Sequence, residues 1–419
     1  MKKIKVGFIG LGQRGAGVHV GEGAGPSENY GLIGTCMLFD DVEITAVCDL
    51  FQDRVERAKK ILASKGYAEP FGTTDVNTLL KQDIDVVIIS AAWEAHVPLA
   101  IASMKAGVRT ALEVGGAYTV QDCYDLVEAY EQTKTPFMFL ENCCYGEEEL
   151  LVTNMVRKGV LGEILHCHGA YCHDLRPQIA MGLFSNHYRL RNYLTRNCDN
   201  YPTHNLGPIA KLLNINRGNK MLYLSSMASK SKGMSEYVSD KQEYKELHDK
   251  VFAQGDVVHT SITCQDGSLI TLKLATTLPR AYSREFNVNG TKGYYTEIGK
   301  VLYTEKVEGK TEGTINDFLN TYDKYKEKFL PQIWKNVTQE EIQSGHGGMD
   351  VFMLRDMFNC IKENREFPID VYDAACWMAI TVLSEQSIKN NGASIEVPDF
   401  TKGKWNDRPN LDVIDFSKE

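Results

Sequence analysis

The first fifteen residues constrain the fold of this chain more than any other stretch. Ile4-Lys5-Val6-Gly7-Phe8-Ile9 is a short apolar run, and Gly10-Leu11-Gly12-Gln13-Arg14-Gly15 follows it without a gap. Such a run closed by a glycine turn reads as a buried strand. Glycines spaced G-x-G-x-x-G let the backbone turn tightly, approach a pyrophosphate and enter a helix. The motif is weak alone, because glycine turns are common, but its surroundings strengthen it. A second strand, Glu43–Cys48, leads into Asp49. A carboxylate at that strand end accepts hydrogen bonds from both ribose hydroxyls and repels a 2′-phosphate. Gly10, Gly12, Gln13, Arg14, Gly15 and Asp49 are therefore expected to hold a nicotinamide dinucleotide, NAD in preference to NADP. One feature fits poorly. Segment 18–41 is glycine-rich and places Asp49 farther from the turn than the ~20 residues usual for this motif, which calls for an insertion after a short first helix.

The alternation continues through the first third of the chain. Val86–Ser90, Thr110–Glu113 and Phe137–Leu140 read as further buried strands, and Asp53–Ser64, Val97–Ala106 and Val120–Thr133 carry helical periodicity. Strand-helix-strand alternation predicts a doubly wound parallel sheet of the Rossmann type. After Cys143 the pattern changes. A helix over Glu147–Lys158 leads into strand-like stretches at Glu163–His173, Met221–Ala228, Val257–Cys264, Leu269–Thr276 and Arg284–Val288, with Gln265-Asp266-Gly267-Ser268 as a hairpin turn. Lys306–Ser344 is polar and irregular, Met349–Glu363 and Val371–Lys389 read as helices, and Ile395–Glu419 forms a tail. The fold class is thus α/β: a Rossmann domain over residues 1–143, then an α+β domain over 144–419 with an open, mostly antiparallel sheet.

Composition narrows the function classes. A chain of 419 residues with a net charge of −9 lacks the basic balance that nucleic-acid backbones require. No run of eighteen apolar residues exists, so no membrane partner is expected. The eleven cysteines follow no framework spacing, and reduced thiols are the simplest account. With no signal-peptide pattern at the start, the expectation is a cytoplasmic enzyme.

These features together resemble the Gfo/Idh/MocA superfamily of glucose–fructose oxidoreductases and inositol dehydrogenases. Further motifs narrow the resemblance. Trp93-Glu94-Ala95-His96 follows the fourth strand, Glu113-Val114 ends the next, and Glu141-Asn142 ends the last. The second domain holds Tyr171-Cys172-His173-Asp174-Leu175, Asn200-Tyr201-Pro202-Thr203-His204, Pro279-Arg280-Ala281-Tyr282-Ser283 and Gly345-His346-Gly347-Gly348-Met349-Asp350. This set is similar to the NAD-dependent α-N-acetylgalactosaminidases, a glycoside hydrolase family on that fold. Two departures from ordinary dehydrogenases agree with it. Their Glu-Lys-Pro motif is here Glu113-Val114-Gly115, and their Asp-x-x-x-His pair is here Asn200-x-x-x-His204.

The resemblance implies a redox-elimination route, one of the exceptions to two-carboxylate glycoside hydrolysis. Hydride leaves C3 of the sugar for the cofactor, the ketone acidifies the C2 proton, and loss of that proton expels the C1 aglycone. Water then adds and the hydride returns. His204 is the candidate base at the 3-hydroxyl, with Tyr201 sharing the proton, and Tyr171 is the candidate base at C2. These three are the expected catalytic residues. His173, Arg189, Arg196 and Tyr282 join them as expected sugar contacts, and Trp93, His96, Glu113, Val114 and Asn142 join the glycine loop around the cofactor. His166-Cys167-His168 with Cys172-His173 suggests a metal, but strand alternation puts them on opposite faces, and no metal is expected. Cys143-Cys144 is expected to pack near the nicotinamide end. The alternative activity is an NAD-dependent sugar or inositol dehydrogenase, which would release NADH with product; a sugar sensor without turnover is a third. An open sheet often pairs with its own copy, so a homodimer or higher homo-oligomer is expected.

Overall fold

A computed structural model describes residues 3–17, 31–305 and 313–419. Most of the expected insertion over 18–41, and residues 306–312 of the expected excursion, lie outside the described residues. The chain divides into two compact units. The first comprises Met1–Ala117, Gln121–Asn142 and Val337–Ala375; the second comprises Tyr118–Val120, Cys143–Asn336 and Cys376–Glu419. A single boundary at 143/144 therefore marks only one crossing of the chain. Segment 337–375, placed by sequence with the second domain, packs with the first unit, because helical periodicity does not say which core a helix serves.

The first unit is built on six parallel strands in the order β3-β2-β1-β4-β5-β6. They are β1 (Ile4–Ile9), β2 (Val42–Cys48), β3 (Phe71–Thr73), β4 (Val86–Ile89), β5 (Arg109–Glu113) and β6 (Phe137–Leu140). Val86, Val87, Ile88 and Ile89 are all fully buried, as expected for parallel strands covered on both faces. The short helix α1 (Gln13–Ala16) follows the glycine turn, and α2 (Gly31–Cys36) precedes β2. Helix α3 (Gln52–Ser64) follows β2, α4 (Trp93–Lys105) follows β4, and α5 (Val120–Thr133) follows β5. Helix α4 starts four residues before the expected Val97, so Trp93 and His96 both lie in its first turn. The order reverses between β1 and β4, and in open parallel sheets the crevice beyond such a switch point takes the ligand. The glycine turn lies there.

The second unit opens with α6 (Glu147–Arg157) and an eight-stranded sheet follows. Its strands are β7 (Ile164–Cys172), β8 (Met221–Ala228), β9 (Val258–Cys264), β10 (Leu269–Ala275), β11 (Asn287–Gly290), β12 (Gly293–Thr296), β13 (Val301–Thr304) and β14 (Ile395–Glu396). Their order is β13-β12-β11-β7-β10-β9-β8-β14. Only the central β7–β10 pair runs parallel; every other pairing is antiparallel. Helices α7 (Tyr188–Thr195) and α8 (Thr203–Leu212) come between β7 and β8. Gly169 in β7 lies against Asn205 and Ile209 of α8, where a Cβ would stand 2.6 Å from Asn205 Cβ. The other face is open, since burial alternates strictly along β9 with His259, Ser261 and Thr263 outward. The turn Cys264–Ser268 is the expected hairpin, closed by Cys264 N–H to Ser268 O at 2.9 Å.

Two expectations change. The strand expected over Arg284–Val288 begins only at Asn287, because Glu285 takes a left-handed φ of 47°. Residues 313–344 form short helical turns, two of them started by capping boxes at Thr314 and Thr338. The expected helices α9 (Met349–Glu363) and α10 (Val371–Lys389) hold as read. All eleven cysteines are buried and none forms a disulfide. Among the described residues, no helix is long and apolar enough to cross a membrane.

Candidate active site

Two groups of residues gather where the sequence points, one in each unit. In the first, the glycine turn is shaped by what surrounds it. A Cβ on Gly15 would stand 2.1 Å from Gly10 O, and Ser90 Oγ donates to the same carbonyl at 2.7 Å. Gly12 is the opposite case, since among the described residues beyond its chain neighbours a Cβ there would come no closer than 3.9 Å to a heavy atom, Arg54 Nη1 being the nearest. Space is thus kept at the second glycine, the one that lets a pyrophosphate approach the backbone. Asp49 is buried and accepts from Leu11 N–H at 2.7 Å and Phe51 N–H at 3.0 Å, with Arg54 Nη1 3.8 Å away. Each carboxylate oxygen keeps a lone pair for a ribose hydroxyl.

Trp93 and His96 are buried beside Gly115, whose Cβ would stand 2.7 Å from Trp93 Cδ1 and 3.1 Å from His96 Nδ1. Burial pushes the His96 imidazole down to about 4, so it is neutral. Nε2 donates to Ala91 O at 3.0 Å, which makes Nδ1 an acceptor, and that buried Nδ1 has no hydrogen-bond partner among the described residues. Unpartnered buried acceptors are uncommon and call for a ligand or water. The open cradle at Gly12 and this acceptor fit a dinucleotide.

Arg14, Glu113 and Asn142, expected as cofactor contacts, meet in a charge network. Arg14 forks onto Asp350 at 2.6 and 2.9 Å and onto Glu113 Oε1 at 2.8 and 2.9 Å. Asn142 Nδ2 donates to Asp350 Oδ1 at 2.8 Å, and His346 Nδ1 lies 2.9 Å from Asp350 Oδ2. Burial opposes ionisation of Asp350, yet Arg14 and then His346 outweigh it and hold the carboxyl well below the usual range. The sequence named Asp350 only as the end of a motif, since nothing local ties it to a residue more than three hundred positions away. Gln13 lies in α1 and Val114 is buried just after β5, its N–H 3.3 Å from Glu113 Oε2.

In the second unit the expected residues meet as rings. Tyr171, on the α8 side of β7, packs against Tyr201 at 4.7 Å and His204 at 5.6 Å between centroids, and Tyr201 meets His204 edge-on at 4.6 Å. Pro202 caps α8, so Tyr201 and His204 flank its first turn, three residues apart as expected. All three are buried. His173 stands 6.1 Å from Tyr171 and 5.2 Å from Tyr282. Burial, helped by the Arg189 cation, pushes its imidazole below the ordinary value, and its buried Nδ1 has no partner among the described residues. The Arg189 guanidinium lies 5.0 Å from the Tyr201 ring centroid. Arg196 has other partners. It pairs with Glu385 at 2.8 Å and lies 4.9 Å over the Tyr118 ring, which fixes the end of α7.

Sequence reasoning missed Asp199. It is fully buried, accepts from Tyr201 N–H and bonds Thr260, and burial pushes its carboxyl up to about 7. It sets the turn from which Tyr201 projects. Asn200 donates instead to Gln254, inside the unit. On the opposite sheet face, His166 and His168 share Thr271 Oγ1 at 2.9 Å each, while Cys172 Sγ reaches Glu285 at 3.5 Å.

Comparison with known proteins agrees with both halves. Residues 4–140 match the oxidoreductase family with an NAD-binding Rossmann fold, and residues 145–407 match the C-terminal domain of glycosyl hydrolase 109. Over 430 residues the chain is 36% identical to an alpha-N-acetylgalactosaminidase of Tannerella forsythia, a match covering 96% of this chain and 87% of that one. It is 34% identical over 440 residues to a glycosyl hydrolase family 109 protein of Stenotrophomonas maltophilia, covering 99% and 92%. A levoglucosan dehydrogenase in complex with NADH and L-sorbose has a TM-score of 0.68 at 18% identity, over 95% of this chain and 100% of that one. A scyllo-inositol dehydrogenase from Lactobacillus casei has a TM-score of 0.62 at 15%, over 94% and 98%. At those identities the two structures establish the fold. The chain belongs to glycosyl hydrolase family 109 and is a glycosidase built on an NAD-binding Rossmann domain.

Proposed function

We propose that this glycosidase releases N-acetylgalactosamine from α-linked glycans by oxidation at C3, elimination across C1 and C2, addition of water and reduction. The Tannerella forsythia relative carries the name of that activity. The observation behind the proposal is the ring group itself: an imidazole and two phenols packed within 4.6 to 5.6 Å on one buried surface. Bound NAD supplies the acceptor for the C3 hydride and its donor at the end. His204 takes the proton of the 3-hydroxyl, with Tyr201 sharing it. Tyr171 takes the C2 proton. The electron pair left at C2 forms the C1–C2 double bond, and the C1 oxygen departs with the aglycone. Water adds at C1 as Tyr171 returns a proton to C2. The Arg189 cation beside these rings favours the anionic phenol that a C2 base requires. His173 Nδ1 and the Tyr282 hydroxyl hold sugar oxygens.

The cofactor would be held by the Gly12 backbone at its pyrophosphate and by Asp49 at the ribose, with Trp93, His96 and Val114 near the nicotinamide. Asp49 favours NAD over NADP. The decisive assay is para-nitrophenyl α-N-acetylgalactosaminide with purified protein, with and without added NAD⁺, following nitrophenol and NADH absorbance together. Nitrophenol release without accumulating NADH is expected. NADH formed one-for-one with an oxidised sugar would show a dehydrogenase instead, and no release would overturn the substrate.

A further inference from the structure

The loop between β10 and β11 carries Tyr282 at its tip. Tyr282 is 51% exposed and meets the His173 ring at 5.2 Å and the Tyr171 ring at 6.3 Å, edge-on to both. Arg284, two residues on, sends its guanidinium to Glu149 of α6 at 2.6 Å. Both side chains face the side of the sheet covered by helices. Glu285 faces the other. Its carboxylate accepts from Lys273 Nζ at 2.7 and 2.6 Å, Arg280 Nη2 at 3.0 Å and Cys172 Sγ at 3.5 Å, with His168 Nε2 at 3.5 Å.

The backbone at Glu285 is unusual. Pairing runs His168↔Asn287 on one side and Cys172↔Ser283 on the other, which sets Glu285 opposite Ala170. There φ is 47°, a left-handed conformation that a non-glycine residue keeps only when its surroundings hold it. Glycine would satisfy the backbone, but glycine offers no carboxylate. The hydrogen bond from His168 and the two neighbouring cations hold the Glu285 carboxyl well below its usual range, so it is an anion throughout the working range. Arg280 and Glu285 thereby tie the two ends of a short loop whose middle residue touches the ring group.

We propose that Glu285 is a positioning residue for sugar binding: from the open face of the sheet its carboxylate clasps Arg280 and Lys273, and so fixes Tyr282 against His173 and Tyr171. This rests on the reading that Tyr282 contacts the sugar. The test uses the full-length enzyme with NAD and the aryl glycoside, comparing Tyr282→Ala, Glu285→Gln and the double variant. Each single change is expected to raise KM about tenfold, roughly the loss of one hydrogen bond to the sugar. kcat should stay within about threefold and dinucleotide affinity should be unchanged. The double variant is expected to be no worse than Tyr282→Ala, because a clasp acting through Tyr282 has nothing left to position. Additive losses overturn the clasp and leave the Tyr282 contact standing. An unchanged KM for Tyr282→Ala overturns the contact and the clasp with it. Should Glu285→Gln not fold, Arg280→Met opens the same loop while Lys273 keeps the carboxylate paired. Its expected KM rise is about threefold and vanishes in the Tyr282→Ala background. Glu285→Gly should match Glu285→Gln; a glycine variant with wild-type KM would show that only the backbone matters.

Discussion

Two arginines, one half-buried and one buried, mark the two regions that carry chemistry, and their company differs. Arg14 forks between Glu113 and Asp350, both carboxylates, with an imidazole alongside. Arg189 faces the rings of Tyr188 and Tyr201 at 5.8 and 5.0 Å. Charge-assisted forks fix direction as well as distance, so the first arrangement suits a frame that must hold one backbone geometry. A cation over aromatic rings is a softer contact, and its field still acts on nearby phenols. The contrast separates a region built to stay put from one built to move protons.

Removing the imidazole from the ring group should have the largest effect. His204→Ala is expected to lower kcat by on the order of 10²–10⁴ while KM and dinucleotide affinity change little, as steady-state kinetics and NAD⁺ titration would read. Near-wild-type kcat would place proton transfer elsewhere and break the contrast. Asp350→Asn comes next, read as stability and not as rate. Removing one partner of a buried pair costs about 3–5 kcal/mol, visible in urea unfolding. Asp350 is held below its unfolded value, so its stabilisation is complete above that value and lost as pH falls through the folded one. The gap between wild type and variant should therefore be constant above about pH 5 and narrow below about pH 4. Tyr201→Phe, by contrast, should cost under about 1 kcal/mol in the same measurement.

Tyr171→Phe should slow turnover by on the order of 10² yet still allow a burst of NADH absorbance, since oxidation at C3 precedes loss of the C2 proton. In D₂O the wild type should place deuterium at C2 of the released sugar; product without label would point to direct displacement. A smaller effect on function is expected at Asp49. Asp49→Ser should weaken NAD⁺ and narrow its advantage over NADP⁺ by about tenfold, the modest figure reflecting Arg54 beside the same carboxylate. A wild type that binds both dinucleotides equally in titration would remove the role given to Asp49.

The parts of the molecule legible in sequence are those whose signal is local. Five of the six parallel strands announce themselves as apolar runs, and Tyr201 and His204 stand three residues apart in one short motif. The missed strand β3 spans three residues and begins with Phe71 at 41% exposed, too short and too open to show a pattern. The two residues of β14 are below any periodicity. The carboxylate partner of Arg14 is hidden from its local motif, because Asp350 comes from a helix that sequence order assigns to the other domain. The pairing of Arg196 with Glu385 is hidden for a similar reason, as Glu385 lies far along the chain. Strand termination at Glu285 depends on a left-handed residue that is not glycine, and no local residue preference announces it.

The one parallel pair in the second sheet has a consequence for how the molecule folds. Parallel neighbours cannot be joined by a tight turn, so β7 and β10 require a long crossover. Their register sets Leu269 beside His166, about a hundred residues apart in sequence. His173, Arg189, Tyr201 and His204 all lie on the chain that makes this excursion. Contacts closed over such a loop form late and slowly, because the entropy of closure precedes the reward. The sheet that carries Tyr171 is thus completed by a folding step that the local helices cannot supply, and one edge of β7 stays unpaired until β10 docks alongside it. During refolding, activity should therefore return after helical circular dichroism does.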